Sequence, residues 1–273
     1  MAVALQRHAP RLRLNRVLTT AFLIAAAFTG GFIDGIVGGG GLILLPALFA
    51  GLPTVEPALV LGTNKGGSVF GLISAASRFA SRVQINWRLV LPAMALTFTC
   101  AWLGAQAVHR VPSAHVRTLL PFVLTAMLIY TIRNRRLGVS HEPRNFRGRG
   151  LVLSIVALGV LGFYDGFLGP GTGALMMFLL ARHHGLDFVH ASASAKFLNL
   201  ASNSAALLVF GLAGEVMWPL AAMLAVASIT GAQVGVRVAM ARGTGFVRLL
   251  FIGLASALIA KTAWDALRIA GLL

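Results

Sequence analysis

The chain has 273 residues, of which 58% are hydrophobic and only 11% are charged. An ordinary soluble domain carries about 25% charged residues, so this composition excludes a water-soluble globular protein and predicts an all-α, polytopic membrane protein. At about 20 apolar residues per spanning helix, the length accommodates about eight to ten helical segments with short connections. It leaves no room for a sizeable soluble domain.

The formal net charge of +16 comes from basic residues that cluster between apolar runs. The tail 1–16 carries four arginines, and the connection 133–150 carries six. Basic connections of this kind face the cytoplasm in membrane proteins. We therefore expect a lipid bilayer and no nucleic acid as partner, an inner-membrane location, and a cytoplasmic linker at 133–150.

The apolar run that begins at Val17, directly after the basic tail, has the outline of a signal peptide. It continues without a small-residue cleavage site into a glycine motif, and the equivalent segment of the second half is internal. We therefore expect a first membrane span that is retained in the mature protein.

The chain repeats itself. The octet GFIDGIVG at 31–38 recurs as GFYDGFLG at 162–169, which places the two aspartates 131 residues apart (165 − 34). The same offset relates Lys65 to Lys196, Trp87 to Trp218, Gly104 to Gly235 and Arg117 to Arg248. A single shift without gaps predicts a duplication, with one membrane repeat at 17–132 and the other at 151–273.

Apolar segments follow one another in the same order in both halves. They are residues 17–37, 42–52, 58–80, 89–108 and 116–132 in the first half, and they include 191–211, 217–240 and 247–267 in the second. The second segment is short for a span, so two possibilities remain: it crosses the membrane, or it is re-entrant. Equivalent loops differ in charge, since the loop after the third segment is basic only in the first half. This favours inverted repeats, although the arginines of the tail would then lie outside.

Two glycine-rich runs interrupt apolar helices at matching positions of the two halves. Freed backbone groups at membrane depth require a wet cavity or burial in protein, and paired broken helices point to the central site of a transporter. Exposed amides at a helix start attract anions. The alternative is close helix packing through small residues. The substrate-binding candidates from these runs are Gly38, Gly39, Gly40, Gly41, Gly169, Gly171, Thr172 and Gly173.

Polar residues that suit an anion also occur in each third segment. Asn64 and Lys65 lie in the first half, and Lys196, Asn199 and Asn203 fall on one helix face in the second. A lysine far from a helix end is costly in a bilayer and is a functional candidate, whereas one close to the interface extends its ammonium group to the headgroups. We take these five residues as further substrate-binding candidates.

Asp34 and Asp165 precede the two glycine runs inside apolar segments. Two roles remain open for them: carrying a coupling proton, or capping the broken helix and pairing with a basic residue. Elsewhere Cys100 is isolated, and His183 and His184 lack the spacing of metal ligands. With seven acidic residues in all and no catalytic arrangement, we predict no enzyme, no metal site and no cofactor.

These motifs, together with LGTNK at 61–65 and ASASAKFLNLASN at 191–203, strongly resemble the sulfite exporter TauE/SafE family of membrane permeases. The resemblance covers nearly the whole chain beyond the tail. It implies a bacterial inner-membrane permease, from a group linked to sulfite, sulfoacetate, sulfonates and related organosulfur anions. One departure from the family pattern is the basic Arg182-His183-His184 after the second glycine run.

The resulting hypothesis is alternating access around a cavity formed by the broken helices and the third segments. Its substrate would be a small (organo)sulfur anion such as sulfite or a sulfonate. Two alternatives remain: a passive anion channel, and a membrane-embedded assembly or sensor subunit that transports nothing. The sequence is also compatible with a homo-oligomer.

Overall fold

The computed structural model describes residues 2–108, 110, 141–144 and 148–269, and within them the chain is helical without strands. The eight helices are α1 (Ala2–Val37), α2 (Gly41–Gly51), α3 (Pro57–Ala80), α4 (Trp87–Ala107), α5 (Arg149–Phe167), α6 (Thr172–His184), α7 (Phe188–Leu212) and α8 (Trp218–Ile269). The predicted segment 116–132 lies outside the described residues.

Five of these helices contain a stretch that is long and apolar enough to cross a membrane. The stretches are Val17–Val37, Trp87–Ala107, Arg149–Phe167, Phe188–Leu212 and Trp218–Leu254. The prediction of an all-α, polytopic membrane protein is therefore confirmed. The division into a tail, two repeats and a linker stays a prediction.

Glycines in the left-handed region end two of the long helices. Gly38, which follows α1, has a φ of 84°, and Gly169, which follows α5, has a φ of 90°. An L-residue with a side chain rarely adopts this conformation, so glycine is the residue that stops a helix there. A short helix, α2 or α6, follows each stop.

A glycine also bends α8 between the predicted segments 217–240 and 247–267. Gly243 has φ 72° and ψ −170°, a conformation that is essentially restricted to glycine. The two predicted segments are thus the arms of one kinked helix.

Close contacts through small residues join the outer helices in pairs. Gly31 of α1 packs against Ser228 of α8, and Gly162 of α5 packs against Thr97 of α4. Small residues let helix backbones approach closely, which is how helices associate in lipid. Both partners of one contact are related to those of the other by the offset of 131 residues (162 − 31 and 228 − 97).

The polar helices α3 and α7 lie side by side and antiparallel between these pairs. At one end, the Met217 N–H after α7 donates to Thr63 Oγ1 near the start of α3, at 3.0 Å. At the other end, Arg82 after α3 and His190 at the start of α7 line one open cavity. This arrangement places the lysines of α3 and α7 in the centre of the helix bundle.

Candidate functional site

A small polar cavity lies where the two glycine breaks meet α3 and α7. Its lining comprises Asp34, Gly38, Gly41, Asn64, Lys65, Ser68, Leu72, Asp165, Gly169, Gly171, Gly173, Asn199 and Asn203. The cavity leaves about 20 Å³ for the centre of a water molecule. Since one water requires about 10–15 Å³ by this measure, the cavity accommodates about one water.

A closed ion pair forms one wall of this cavity. The Lys65 ammonium of α3 donates to Asp165 Oδ1 at 3.0 Å and to the Asp165 main-chain oxygen at 2.8 Å. Asp165 Oδ2 accepts from Asn203 Nδ2 at 2.7 Å and from the Ser202 hydroxyl. Both charged groups are almost fully buried, so this network provides the hydrogen bonds that a buried charge requires.

Asp34, which lines the cavity, and Lys196, which does not, form a second pair of opposite charges. Asp34 of α1 and Lys196 of α7 carry opposite charges that interact; Lys196 is buried, and Asp34 is partly exposed. Asp34 Oδ1 also accepts a long hydrogen bond, 3.3 Å, from the Gly40 N–H. Within the described part of the chain, Asp34 and Lys196 do not form a direct salt bridge as Lys65 and Asp165 do.

The burial of both lysines bears on their two predicted roles. The side chains of Lys65 and Lys196 are each only 1% exposed. An ammonium group that anchors a helix at the headgroups must reach the protein surface. Neither lysine does so, and the burial is that expected of a group in an internal polar site.

The two glycine runs touch each other at the cavity. A Cβ atom on Gly38 would lie 2.8 Å from the Gly173 carbonyl carbon, and a Cβ on Gly173 would collide with the Gly38 main-chain oxygen. Backbone contact of this kind needs glycine on both sides. Close packing and a polar cavity therefore occur together here, rather than as alternatives.

One polar atom in the cavity wall lacks a protein partner. The side-chain oxygen of Asn64 is buried and has no hydrogen bond to any described residue. Buried polar groups are rarely left so, because desolvation without a hydrogen bond costs free energy. A water, or a guest that carries a hydrogen-bond donor, would supply the missing partner.

The structure brings together most of the predicted site residues, including both aspartates. Gly39, Gly40, Thr172 and Lys196 do not line the cavity: Thr172, for example, donates its hydroxyl proton to Gly169 O at 2.9 Å. Ser68 and Leu72 line it without having been predicted. Ser68 stands one helical turn after Lys65, a spacing that could have identified it, whereas an apolar residue such as Leu72 gives no signal.

Comparison with known proteins gives the family. The sequence profile described as "Sulfite exporter TauE/SafE" matches residues 23–262. The "Probable membrane transporter protein ORF9" of Sinorhizobium sp is 37% identical over 246 residues, which cover 90% of this chain and 92% of that protein. The "Probable membrane transporter protein YfcA" of Escherichia coli K12 is 34% identical over 249 residues, 91% of each chain. No solved structure matches the chain.

The chain belongs to the sulfite exporter TauE/SafE family, which confirms the resemblance noted in its sequence motifs. It is a membrane transporter of that family, and the relatives compared here are named as transporters rather than as enzymes. A similar protein from Haemophilus influenzae, 34% identical over 246 residues, is also named "Probable membrane transporter protein".

Proposed function

We propose that this transporter carries a small (organo)sulfur anion, such as sulfite or a sulfonate, across the bacterial inner membrane by alternating access. The observation that carries the proposal is the buried polar cavity between the two glycine breaks. Family membership supports the anion class, since the matching profile is described as a sulfite exporter.

The groups around the cavity suit an anion with several oxygens. Lys65 supplies a cation, Asn199 and Asn203 supply side-chain amides, and the glycine runs supply main-chain N–H groups at helix starts. Charge-assisted hydrogen bonds from such donors are the strong ones, and helix N-termini favour negative charge. Asn64 also lines the cavity, and the N–H groups of its side-chain amide can donate to the guest.

The size of the cavity supports a carrier cycle. Sulfite has four heavy atoms and does not fit a space that accommodates about one water. The cavity therefore has to enlarge when the anion enters. The glycines at 38 and 169 allow the required change in backbone angles between a long helix and the short helix after it.

The charges around the cavity favour a coupled proton. Two acids, Asp34 and Asp165, balance two bases, Lys65 and Lys196, so an added anion leaves net negative charge deep in the protein. Uptake of one proton removes that charge and its desolvation cost. Asp34 is the better acceptor because it has one long hydrogen bond, whereas Asp165 already binds Lys65, Ser202 and Asn203.

The basic connections support a cytoplasmic linker. The Arg144 N–H donates to His184 O at the end of α6 at 2.9 Å, and Arg82 lies near the start of α7. Residues 141–144 of the linker and the α3–α4 connection thus lie on one side of the helix bundle, the cytoplasmic side by the distribution of arginines. In a Cys100→Ala background, Arg144→Cys should react with a membrane-impermeant thiol reagent only in inside-out vesicles.

The transport proposal is tested with purified protein in proteoliposomes. Labelled sulfite and small sulfonates should enter with saturation in the wild type, and uptake should fall at least tenfold in Lys65→Ala and Lys196→Ala. Ser77→Ala is the matched control, because its hydroxyl bonds only to the backbone of its own helix. Undiminished transport in both lysine variants would show that the lysines are not part of the site. Conductance without saturation would show that the protein is a channel and not a carrier.

A further inference from the structure

The end of the linker is held against the connection between α6 and α7. The Glu142 N–H donates to Gly185 O at 2.9 Å, and the Arg144 N–H donates to His184 O at 2.9 Å. These two bonds bring His141, which is far away in sequence, next to the start of α7. Neither the cavity nor the family match assigns a role to this contact.

We propose that His141, Asp187 and His190 form a binding site for a divalent transition-metal ion, with Zn²⁺ as the best-fitting probe. The three side chains each offer one ligand atom, and these atoms lie within 4.8 Å of one another. Two imidazoles and one carboxylate are a ligand set that suits Zn²⁺, with the fourth position left for water. The sequence did not predict this site, because His141 lies in the linker, far in the chain from Asp187 and His190.

The ligand atoms lie close enough together to share one small cation. The Nδ1 atoms of His190 and His141 lie 2.7 Å and 3.4 Å from the same oxygen, Asp187 Oδ2. In a tetrahedral site with metal–ligand bonds of about 2.0–2.1 Å, neighbouring ligand atoms are about 3.3 Å apart. The distance from His141 Nδ1 to the oxygen already matches this value. The shorter distance from His190 Nδ1 is that of a hydrogen bond, whose proton the metal would replace.

Asp187 is positioned in advance for this role. Its other oxygen, Oδ1, accepts from the Val189 and His190 N–H groups at 2.8 Å and 2.9 Å and so caps α7. Backbone bonds that fix a ligating carboxylate are typical of metal sites. Capping thus occupies one oxygen and turns the other toward the two imidazoles.

The arrangement of the two imidazoles also fits a metal ion. The rings of His141 and His190 are 3.9 Å apart between centroids, and both face one carboxylate oxygen. One divalent ion bound at this oxygen would be within reach of both imidazoles. The side chains of His141 and His190 are 36% and 30% exposed, so an ion can enter from solvent.

Metal binding at this site would fasten the linker to the transport helices. His190 also lines an open cavity of about 510 Å³ with Arg82 and Met240. An ion that bridges His141 and His190 therefore fixes the end of the linker at the rim of this opening. The inferred role is a metal-dependent restraint on α7, the helix that carries Lys196.

The test is metal binding by the full chain, purified in detergent without a histidine tag and stripped with a chelator. Zn²⁺ titrated by calorimetry should bind with one site per chain, and Co²⁺ should give the visible absorption of a tetrahedral complex. His141→Gln, Asp187→Asn and His190→Gln should each weaken binding at least about 100-fold, since loss of even an outer partner costs 10–100-fold. Asn retains the helix cap, which keeps Asp187→Asn folded.

His183→Gln is the matched control, because this histidine lies four residues before Asp187 in the chain and does not belong to the cluster. Its Zn²⁺ affinity should equal that of the wild type. Zn²⁺ should also slow hydrogen exchange at the Glu142 and Arg144 amides in the wild type and not in His190→Gln. Equal affinities in wild type and His190→Gln, or unchanged exchange at both amides, would overturn the site. Neither readout involves anion transport, so the carrier proposal is tested separately.

Discussion

The Lys65 ammonium lies 3.0 Å from the Asp165 carboxylate, so a cation of the first predicted repeat is neutralised by an acid of the second. In the second pair the roles are reversed: the acid, Asp34, belongs to the first repeat, and the cation, Lys196, belongs to the second. Each half thus supplies the countercharge that the other needs. In the proposed carrier cycle, movement of one half against the other would stretch or exchange these pairs and so link these charges to the opening of the cavity.

The first prediction concerns the closed pair. Lys65→Met leaves Asp165 as a buried charge without its cation, and Asp165→Asn does the converse, so each should lower the free energy of unfolding by about 3–5 kcal/mol. The double variant should be more stable than the sum of the two losses implies. Denaturant unfolding in detergent measures all three. Strictly additive losses would mean that the two side chains do not interact.

The second prediction concerns the contact between the glycine runs. Gly38→Ala places a Cβ atom 2.8 Å from the Gly173 carbonyl carbon, and it also strains a φ of 84°. Gly214→Ala is the matched control, because Gly214 has a φ of 74° and nothing within 4 Å. We expect Gly38→Ala to lose about 1–3 kcal/mol more than the control, the cost of overpacking a close contact.

The thermal midpoints of both glycine variants in detergent, converted to free energies, provide the comparison. Equal losses of stability in the two variants would show that the strained φ alone accounts for the effect of Gly38→Ala. The close approach of the backbone to Gly173 would then not require a glycine. A large loss only in Gly38→Ala would mean that the two glycine runs stabilise the fold through their contact.

Helices were the part of this fold that the sequence predicted well. Residues 58–80 were predicted as a segment, and α3 spans Pro57–Ala80. Long apolar runs predict helices because lipid leaves the backbone no other way to satisfy its hydrogen bonds. The two predicted segments 217–240 and 247–267 form one helix with a kink, since a local apolar pattern does not distinguish a loop from a bend.

The sequence also indicated most of the cavity, because glycine runs, lysines and aspartates are unusual at membrane depth. It did not predict which lysine meets which aspartate. Lys65 and Asp165 are 100 residues apart in the chain, and pairing across such a distance depends on helix packing. His141 shows the same limit, as its contact with Asp187 depends on where residues 141–144 pack in the fold.

The third prediction separates stability from transport at Asn64. Its side-chain oxygen is buried without a partner in the described structure, so Asn64→Leu should leave the free energy of unfolding within about 1 kcal/mol of wild type or raise it. Transport of the labelled anion should fall at least tenfold, because the cavity loses a polar contact. Uptake kinetics and denaturant unfolding are measured on the same preparation.

Thr97→Val is the matched control for Asn64. The Thr97 hydroxyl is also buried without a partner among the described residues, but Thr97 lies on α4 and does not line the cavity. Its loss should be neutral or stabilising and should leave transport unchanged. If both variants transport normally, Asn64 does not contact the guest.

The last prediction concerns the coupled proton. Asp34→Asn removes the carboxylate that has only one long hydrogen bond, to Gly40 at 3.3 Å, and keeps a side chain of similar shape. A permanently neutral residue 34 neither takes up nor releases a proton. Anion exchange at equal pH should therefore continue within about threefold of wild type, while accumulation driven by a pH gradient should disappear.

Both activities are measured in the same proteoliposomes, as counterflow of labelled anion and as gradient-driven uptake. Asp165→Asn is the contrasting variant: it leaves the Lys65 ammonium buried without its countercharge, so exchange and accumulation should both fall. Gradient-driven accumulation that persists in Asp34→Asn would place the proton on another group. Because Asp165 is already engaged by Lys65, Ser202 and Asn203, the loss of accumulation alone, with exchange retained, is expected only from the change at Asp34.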